Sequence, residues 1–132
     1  MTVLKRHLRN PTDNFSRSGN SLLGIRNTIL EMTARGADLK STTDRLCIEI
    51  EAVAPGIVCS VLTVDEQGLL HPLSAPSLPK DYCDALDGLA TGPEVGSCGT
   101  AAWLGEAVTA SCIANDPRWA DYKDTPLALG LR

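Results

Sequence analysis

The sequence predicts an α+β fold in which an antiparallel sheet carries helices on one face. Apolar residues recur at helical spacing over residues 21–36 and 38–54. A run rich in β-branched residues follows at 57–64, and a second, leucine-rich run at 69–75. A short polar turn separates these two runs, which is the pattern of helices followed by a β-hairpin. A chain of 132 residues is long enough for one domain with its own core.

The first helix is predicted over residues 21–36 as an amphipathic segment that ends at Gly36. Its apolar stripe consists of Leu22, Ile25, Ile29 and Met32. We expect this stripe to contact a second copy of the chain, which makes a homodimer the expected state. Residues 1–20 are polar and rich in turn formers, so they are interpreted as a linker or tail.

The second helix spans residues 38–54 and is stopped by Pro55-Gly56. Its apolar face consists of Leu39, Thr43, Leu46, Ile50 and Val53. The hairpin turn is Asp65-Glu66-Gln67-Gly68. Pro72 has no amide donor, which places the second strand near a sheet edge or a β-bulge.

The remaining elements are shorter. Pro79 suits the first turn of a helix that carries Tyr82, Leu86 and Leu89. Residues 107–113 read as a third strand of the sheet. Asp116-Pro117 then caps a short turn that holds Trp119 and Tyr122.

Composition excludes several classes of protein. A net charge of -4 argues against binding to nucleic acid or to an anionic membrane surface. No apolar run reaches the ~20 residues of a membrane helix, and no apolar core follows the basic N-terminus, so we expect a cytoplasmic protein. The five cysteines are odd in number and lack a C-x-x-C pair, which favours reduced thiols over disulfides or a zinc site. No metal ligands are predicted.

The segment at residues 91–103 is the stretch around which the other predicted elements are arranged. Its turn formers are Gly92, Pro93, Gly96 and Gly99, and they surround Cys98. Ala101-Ala102-Trp103 opens a short apolar helix, for which Ser97 is the expected N-cap and Gly105 the expected stop.

Four blocks of sequence together resemble a GAF domain. They are Ala75-Pro76-Ser77-Leu78-Pro79-x-x-Tyr82, Gly92-Pro93-x-x-Gly96-Ser97-Cys98-Gly99-Thr100-Ala101-Ala102, Asp116-Pro117-x-Trp119-x-x-Tyr122 and Gly130-Leu131-Arg132. The subtype is the one found in bacterial sensor kinases and in proteins that make or degrade cyclic-di-GMP, often after a PAS domain. Cys112 departs from it, since the subtype usually has an acidic residue there.

The resemblance implies a GAF domain over residues 37–132, preceded by a signalling helix at 21–36. It implies a small-molecule pocket on the sheet face opposite the helices, under loops at residues 71–104 and 114–126. Family members continue beyond Gly-Leu-Arg into further strands and a closing helix, so we expect this sheet to be completed by dimerisation or strand exchange. The implied function is regulatory: the domain itself is not expected to be an enzyme.

The candidate ligand-binding residues are Cys98, Thr100, Trp103, Asp116 and Trp119. Each also has a structural interpretation: Cys98 as a small packed residue, the two tryptophans as core, and Asp116 as a helix cap. The resemblance leaves the ligand open, because related domains bind cyclic nucleotides, tetrapyrroles, amino acids or nothing. His71 could bind haem or a metal, or be an ordinary solvated histidine.

Two alternatives to a sensor remain. Free methionine sulfoxide reductases have a similar Gly-x-Cys-Gly-Thr-Ala motif, and Cys98 stands where their redox cysteine stands. That chemistry requires a thiolate and a resolving thiol. The other alternative is a dimerisation module without a ligand.

Overall fold

Helices and strands are mixed along the chain in a computed structural model that describes residues 2–5 and 18–132. The strands are β1 Thr2–Lys5, β2 Ile57–Val64, β3 Leu69–Ser74 and β4 Leu89–Ala90. The helices are α1 Ser18–Ala34, α2 Leu39–Val53, α3 Lys80–Leu86, α4 Gly96–Leu104 and α5 Asp124–Ala128, with a 3-10 helix at Pro117–Trp119. The described strands pair antiparallel in the order β1-β2-β3-β4. The predicted α+β class is confirmed.

The hairpin of β2 and β3 has the expected turn. Oδ1 of Asp65 accepts hydrogen bonds from the backbone N–H groups of Gln67 (3.0 Å) and Leu69 (2.8 Å), and Gly68 adopts a φ of 79°. A side chain that satisfies turn amides in this way favours the reversal over other local conformations. The hairpin prediction is confirmed.

A β-bulge lies at the proline of β3. Val61 pairs with Ser74 whereas the next residue, Leu62, pairs with Pro72, so the register shifts by one residue between them. On the other side of β3, the strand β4 pairs only with Leu69 and Leu70 and does not reach Pro72. The missing amide of Pro72 therefore interrupts no regular ladder, and the predicted bulge is confirmed.

The two faces of β2 are buried against different parts of the chain, because neighbouring strand residues point in opposite directions. Cys59 faces α2, where its thiol lies within hydrogen-bonding distance of Cys47 and its N–H donates to Glu51 Oε1 at 2.8 Å. Burial, and then the neighbouring thiol, raises the pKa of Cys59 to about 12. The opposite face carries the core cluster of Val58, Ile113, Trp119 and Leu131.

The second helix forms as predicted. Asp38 caps α2 by accepting a hydrogen bond from the N–H of Ser41 at 2.9 Å, and Lys40 pairs with Asp44 one turn later. Thr43 and Cys47 are buried on the inner face. Capping and inward packing together explain why this segment is helical.

The first helix packs differently from the prediction. Ile25 is buried within the chain, with 6% of its surface exposed, although it was expected in a contact between copies. The exposed apolar residues of α1 are Leu22, Leu23 and Leu30. Packing of α1 within the chain therefore buries Ile25 of the predicted stripe, whereas Leu22, Leu23 and Leu30 stay on the surface of α1.

Two elements fall within residues 1–20, which the sequence indicated to be a linker or tail. The strand β1 pairs with β2, and α1 begins at Ser18 rather than at residue 21. Four residues form a strand here because β2 offers them a pairing partner, which a single-sequence pattern does not reveal. Residues 6–17 lie outside the described residues.

Two further local predictions are wrong. The structure has no strand at residues 107–113, where Arg118 Nη2 donates to the carbonyl of Thr109 (3.0 Å) in place of a strand neighbour. The third helix ends at Leu86, so Leu89 belongs to β4, because Gly88 has a φ of 78° and donates its N–H to Leu70 O (2.8 Å). A strand requires a neighbouring strand to which its backbone can hydrogen-bond, and a helix requires an unbroken series of backbone hydrogen bonds. Residues that are neighbours in the folded chain determine whether either condition is met.

Among the described residues, no helix has the combined length and hydropathy needed to cross a membrane.

Candidate functional site

The loop before α4 is held on both sides by hydrogen bonds. The N–H of Thr91 donates to Gly68 O (2.9 Å), which ties the loop to the hairpin turn. The hydroxyl of Thr100 donates to Pro93 O (3.1 Å), which ties α4 to the loop that precedes it. Thr100 is buried, and its hydroxyl uses its proton in this hydrogen bond within the protein.

A glycine is required at the start of α4. Gly96 adopts a φ of 56°, and a Cβ built there would lie 3.3 Å from the indole ring of Trp119. Other residues avoid this backbone conformation, and the indole would have to move. Gly96 therefore allows the ring of Trp119 to pack directly on the backbone of the loop.

Ser97 connects α4 to the 3-10 helix and is not the N-cap that the sequence predicted. The N-cap is Val95, which makes no side-chain capping bond, and Ser97 lies in the first turn of α4. Its hydroxyl oxygen accepts a hydrogen bond from Trp119 Nε1 at 3.1 Å. A buried indole N–H needs a partner, and this tertiary contact supplies it. The predicted stop at Gly105 is confirmed, with a φ of 71°.

Asp116 caps the 3-10 helix, as predicted. Its Oδ1 accepts from the backbone N–H of Arg118 (3.0 Å) and from Arg118 Nε (2.9 Å). The hydrogen bonds from Arg118 hold the pKa of the Asp116 carboxyl below its ordinary value. Arg118 also reaches Thr109 O, so the pair fastens the segment after α4 to the segment that holds Trp119.

A small apolar cavity lies beneath these loops, with a volume of about 20 Å³. Its walls are formed by Leu70, Leu86, Leu89, Val95, Gly96, Cys98, Trp119 and Tyr122. All but Leu70 fall within residues 71–104 and 114–126, the two loops under which a pocket was expected. Ligand pockets for drug-sized molecules are on the order of 300 Å³ or more. In this conformation the cavity accommodates a group about the size of a water molecule.

The cavity brings together two of the five candidate ligand-binding residues. Cys98 and Trp119 are part of its wall. Thr100, Trp103 and Asp116 lie outside it: the first bonds to Pro93, the last to Arg118, and Trp103 is 55% exposed on the surface of α4. The assignment of all five to ligand binding stays a prediction.

Several wall residues had no ligand role in the sequence analysis. Leu86 and Leu89 were expected on one helix, and Tyr122 was expected only in a turn. Leu70 and Val95 carried no functional signal. The aliphatic residues come from separate elements and form a site only after the chain folds, so no sequence motif could have identified them. Tyr122 differs from them, because it belongs to one of the four blocks that resemble a GAF domain.

Cys98 lies in the first turn of α4, half-buried, with its side chain in the cavity wall. All five cysteines are thiols in the structure. Cys83 of α3 is also half-buried, and burial raises its pKa. The interpretation of Cys98 as the redox residue of a reductase stays a prediction.

A second polar cluster lies on the outer side of the hairpin. Nδ1 of His71 is 2.7 Å from Asp87 Oδ1, and Nε2 is 3.0 Å from Asp65 Oδ2. The hydrogen bonds to Asp65 and then Asp87 raise the pKa of His71, and the bond from His71 lowers the pKa of Asp65. Both ring nitrogens are thus engaged, so binding haem or a metal would require one of these contacts to break. In the described ranges, no group of three or more His, Cys, Asp or Glu forms a metal site.

Comparison with known proteins gives one informative similarity. The chain is 32% identical over 117 residues to the methyl sulfide methyltransferase-associated sensor of Methanosarcina acetivorans. The match covers 88% of this chain but only 12% of that protein, so the chain spans a small part of its relative. No protein-family profile matches the chain. No solved structure matches it.

Proposed function

We propose that this chain is a sensory module of the GAF type, which regulates a signalling protein of which it forms a part. The similarity to a protein named as a sensor, over 88% of this chain, carries the proposal. The α+β architecture and the loop at residues 91–103 fit it. A sensor relative also favours a regulatory domain over an enzyme.

The proposed signal site is the cavity beneath the loops. Its wall is apolar, and the N–H of Trp119 that borders it already donates to Ser97. The nearby hydroxyl of Thr100 and carboxylate of Asp116 are likewise engaged. A ligand with a phosphate or several hydrogen-bonding groups would find few partners and would be bound poorly. We therefore propose a small apolar ligand, which enters as the wall side chains move apart.

Dimethyl sulfide is a suitable probe, because it is small and apolar and because the relative's name refers to methyl sulfide. Its polarisable sulfur can contact the rings of Trp119 and Tyr122. The variant Trp103→Phe leaves Trp119 as the single indole of the chain. We expect titration of this variant with dimethyl sulfide to give a saturable change in Trp119 fluorescence.

Dimethyl sulfoxide is the matched control, since it has a similar shape but carries a strong acceptor. It should give no saturable change. In the same background, Cys98→Leu should abolish the response to dimethyl sulfide, because the larger side chain fills the cavity. An absent response to dimethyl sulfide, or an equal response to both compounds, would contradict an apolar ligand site.

The proposed output is a partner domain in the parent protein. For the GAF subtype that this sequence resembles, that domain is a histidine kinase or an enzyme of cyclic-di-GMP metabolism, with a PAS domain as a further neighbour. Ligand binding would act by favouring one of two packings of α1 and α2. Such control requires that the ligand bind the two packings with different affinity.

We further propose that the chain forms a homodimer through the exposed leucines of α1. Leu23 and Leu30 are seven residues apart and lie on one helix face, and Leu30 is 56% exposed. Leu30→Asp should raise the dimer dissociation constant about tenfold or more, equivalent to about 1.4 kcal/mol. Sedimentation equilibrium measures this constant.

Ile48→Asp is the matched control, because Ile48 is a similarly exposed apolar residue on α2. It should leave the dissociation constant unchanged. If the unmodified chain is monomeric at all concentrations, or if both variants weaken association equally, the α1 interface is wrong.

A further inference from the structure

His71 and its two carboxylate partners join three elements of the fold. Asp65 directly follows β2, His71 lies in β3 opposite Thr63, and Asp87 directly follows α3. The ring of His71 bridges the two carboxylates, at 2.7 Å from Asp87 and 3.0 Å from Asp65. We call these three residues the clasp.

The clasp is attached to the cavity wall through the backbone. Leu70 and Leu86, which precede His71 and Asp87, line the cavity, as does Leu89. The Leu70 carbonyl accepts a hydrogen bond from the Gly88 N–H at 2.8 Å, and Leu70 pairs with Leu89. Adjacent strand residues point to opposite faces, so the clasp lies behind the wall that β3, α3 and β4 build.

We infer that the clasp makes this wall sensitive to protons: a protonated His71 fastens the end of α3 to the hairpin, and a neutral His71 releases it. The inference rests on the proposed function in one respect, namely that the cavity is the signal site. It adds a regulator to that site, since a looser wall would admit a ligand more readily than the closed wall of this structure.

The hydrogen-bonding capacity of the ring explains the sensitivity. Imidazolium has two N–H donors and can donate to Asp65 and Asp87 together. Neutral imidazole has one, so one carboxylate would face a ring nitrogen lone pair and lose its bond. Among residues 2–5 and 18–132, Asp65 and Asp87 are the charged groups that face the ring. Thr63 lies opposite on β2, and β4 contributes the uncharged Leu89 and Ala90.

The direction of the pH effect follows from the raised pKa of His71, which Asp65 and then Asp87 cause. Below the ordinary histidine value of about 6.5, the ring is charged in both folded and unfolded chains and the clasp contributes fully. The contribution is lost as the pH rises through the folded-state pKa. Because the side chain of His71 is 39% exposed, added salt should screen its attraction to the two carboxylates and so reduce this pH dependence.

Hydrogen exchange of the Gly88 amide reports on the wall, since this N–H joins the end of α3 to β3. We expect its protection factor, corrected for the intrinsic pH dependence of exchange, to fall several-fold from pH 6 to pH 8.5 as the contact opens more often. NMR titration of the His71 ring should show its transition over the same range. Asp87→Asn should lower the pKa of His71 and remove most of the pH dependence of Gly88 protection.

Asp84→Asn is the matched control: Asp84 lies on α3 one turn before Asp87, but its carboxylate pairs with Lys80 and not with His71. It should leave the Gly88 profile unchanged. A Gly88 protection factor that is constant with pH, or a pH dependence that survives in Asp87→Asn, would overturn the inference.

The exchange experiment needs no ligand, so it separates the clasp from the proposed function. Loss of protection at high pH without any dimethyl sulfide binding would support the clasp and refute the ligand site. Constant protection with saturable binding would refute the clasp and leave the ligand site intact. If both hold, dimethyl sulfide should bind the Trp103→Phe variant several-fold more tightly at pH 8.5 than at pH 6.

Discussion

Replacing Trp119 with alanine should lower the free energy of unfolding by about 3–5 kcal/mol, the usual cost of removing a large buried aromatic side chain. Trp119 is 4% exposed and packs in the cluster with Val58 and Ile113. Its indole also covers Gly96 and bonds to Ser97, so its loss would enlarge the cavity and leave a buried hydroxyl with one partner fewer. Urea unfolding followed by circular dichroism measures the change.

Trp103→Ala is the control, because it removes the same side chain from the surface of α4. With Trp103 at 55% exposure, the change should stay within about 0.5 kcal/mol. Equal effects of the two substitutions would contradict the placement of Trp119 in the core. The pair also separates two tryptophans that have the same candidate role, ligand binding, on sequence grounds.

Gly99→Ala should destabilise the protein by about 1–3 kcal/mol through overpacking. A Cβ at this position would lie 2.6 Å from both Cβ and Cγ1 of Val95, which real contacts do not tolerate. Val95 cannot easily move away, because its carbonyl accepts a hydrogen bond from the Gly99 N–H at 3.1 Å, which is the first backbone hydrogen bond of α4. The gain of about 1 kcal/mol in helix propensity from glycine to alanine only partly offsets the clash.

Gly24→Ala is the matched control for this helical glycine. A Cβ at Gly24 in α1 would meet nothing within 4 Å, so the same substitution should stabilise the protein by about 0.5–1 kcal/mol. Thermal or urea unfolding of the two variants should therefore give changes of opposite sign. Stabilisation by Gly99→Ala would show that the loop and α4 are packed less closely than the structure indicates.

The cavity and the clasp give the proposed sensor two inputs at one wall. Leu70 and Leu86 face the cavity, while His71 and Asp87 lie behind them. A small apolar ligand would act from the inside and a proton from the outside. Because both act on the contact between the end of α3 and β3, each should change the response to the other.

Local sequence determined the elements whose stabilising groups are close in the chain. Asp38 caps α2 three residues ahead of its partner amide, Asp65 closes the hairpin turn, and Gly105 ends α4 with a positive φ. Asp116 bonds to the amide two residues later. Capping and turn chemistry act over a few residues, so these features were predictable from the sequence alone.

Tertiary structure determined the features that depend on a residue far away in the sequence. Residues 107–113 have a strand-like composition, yet Arg118 rather than a strand bonds to Thr109. Ser97 looked like an N-cap, but its hydroxyl serves Trp119, which lies 22 residues away. His71 meets Asp65 and Asp87 only because a hairpin and a helix end converge. Burial and long-range hydrogen bonding select among options that are locally equivalent, and the packed chain alone determines which neighbours are present.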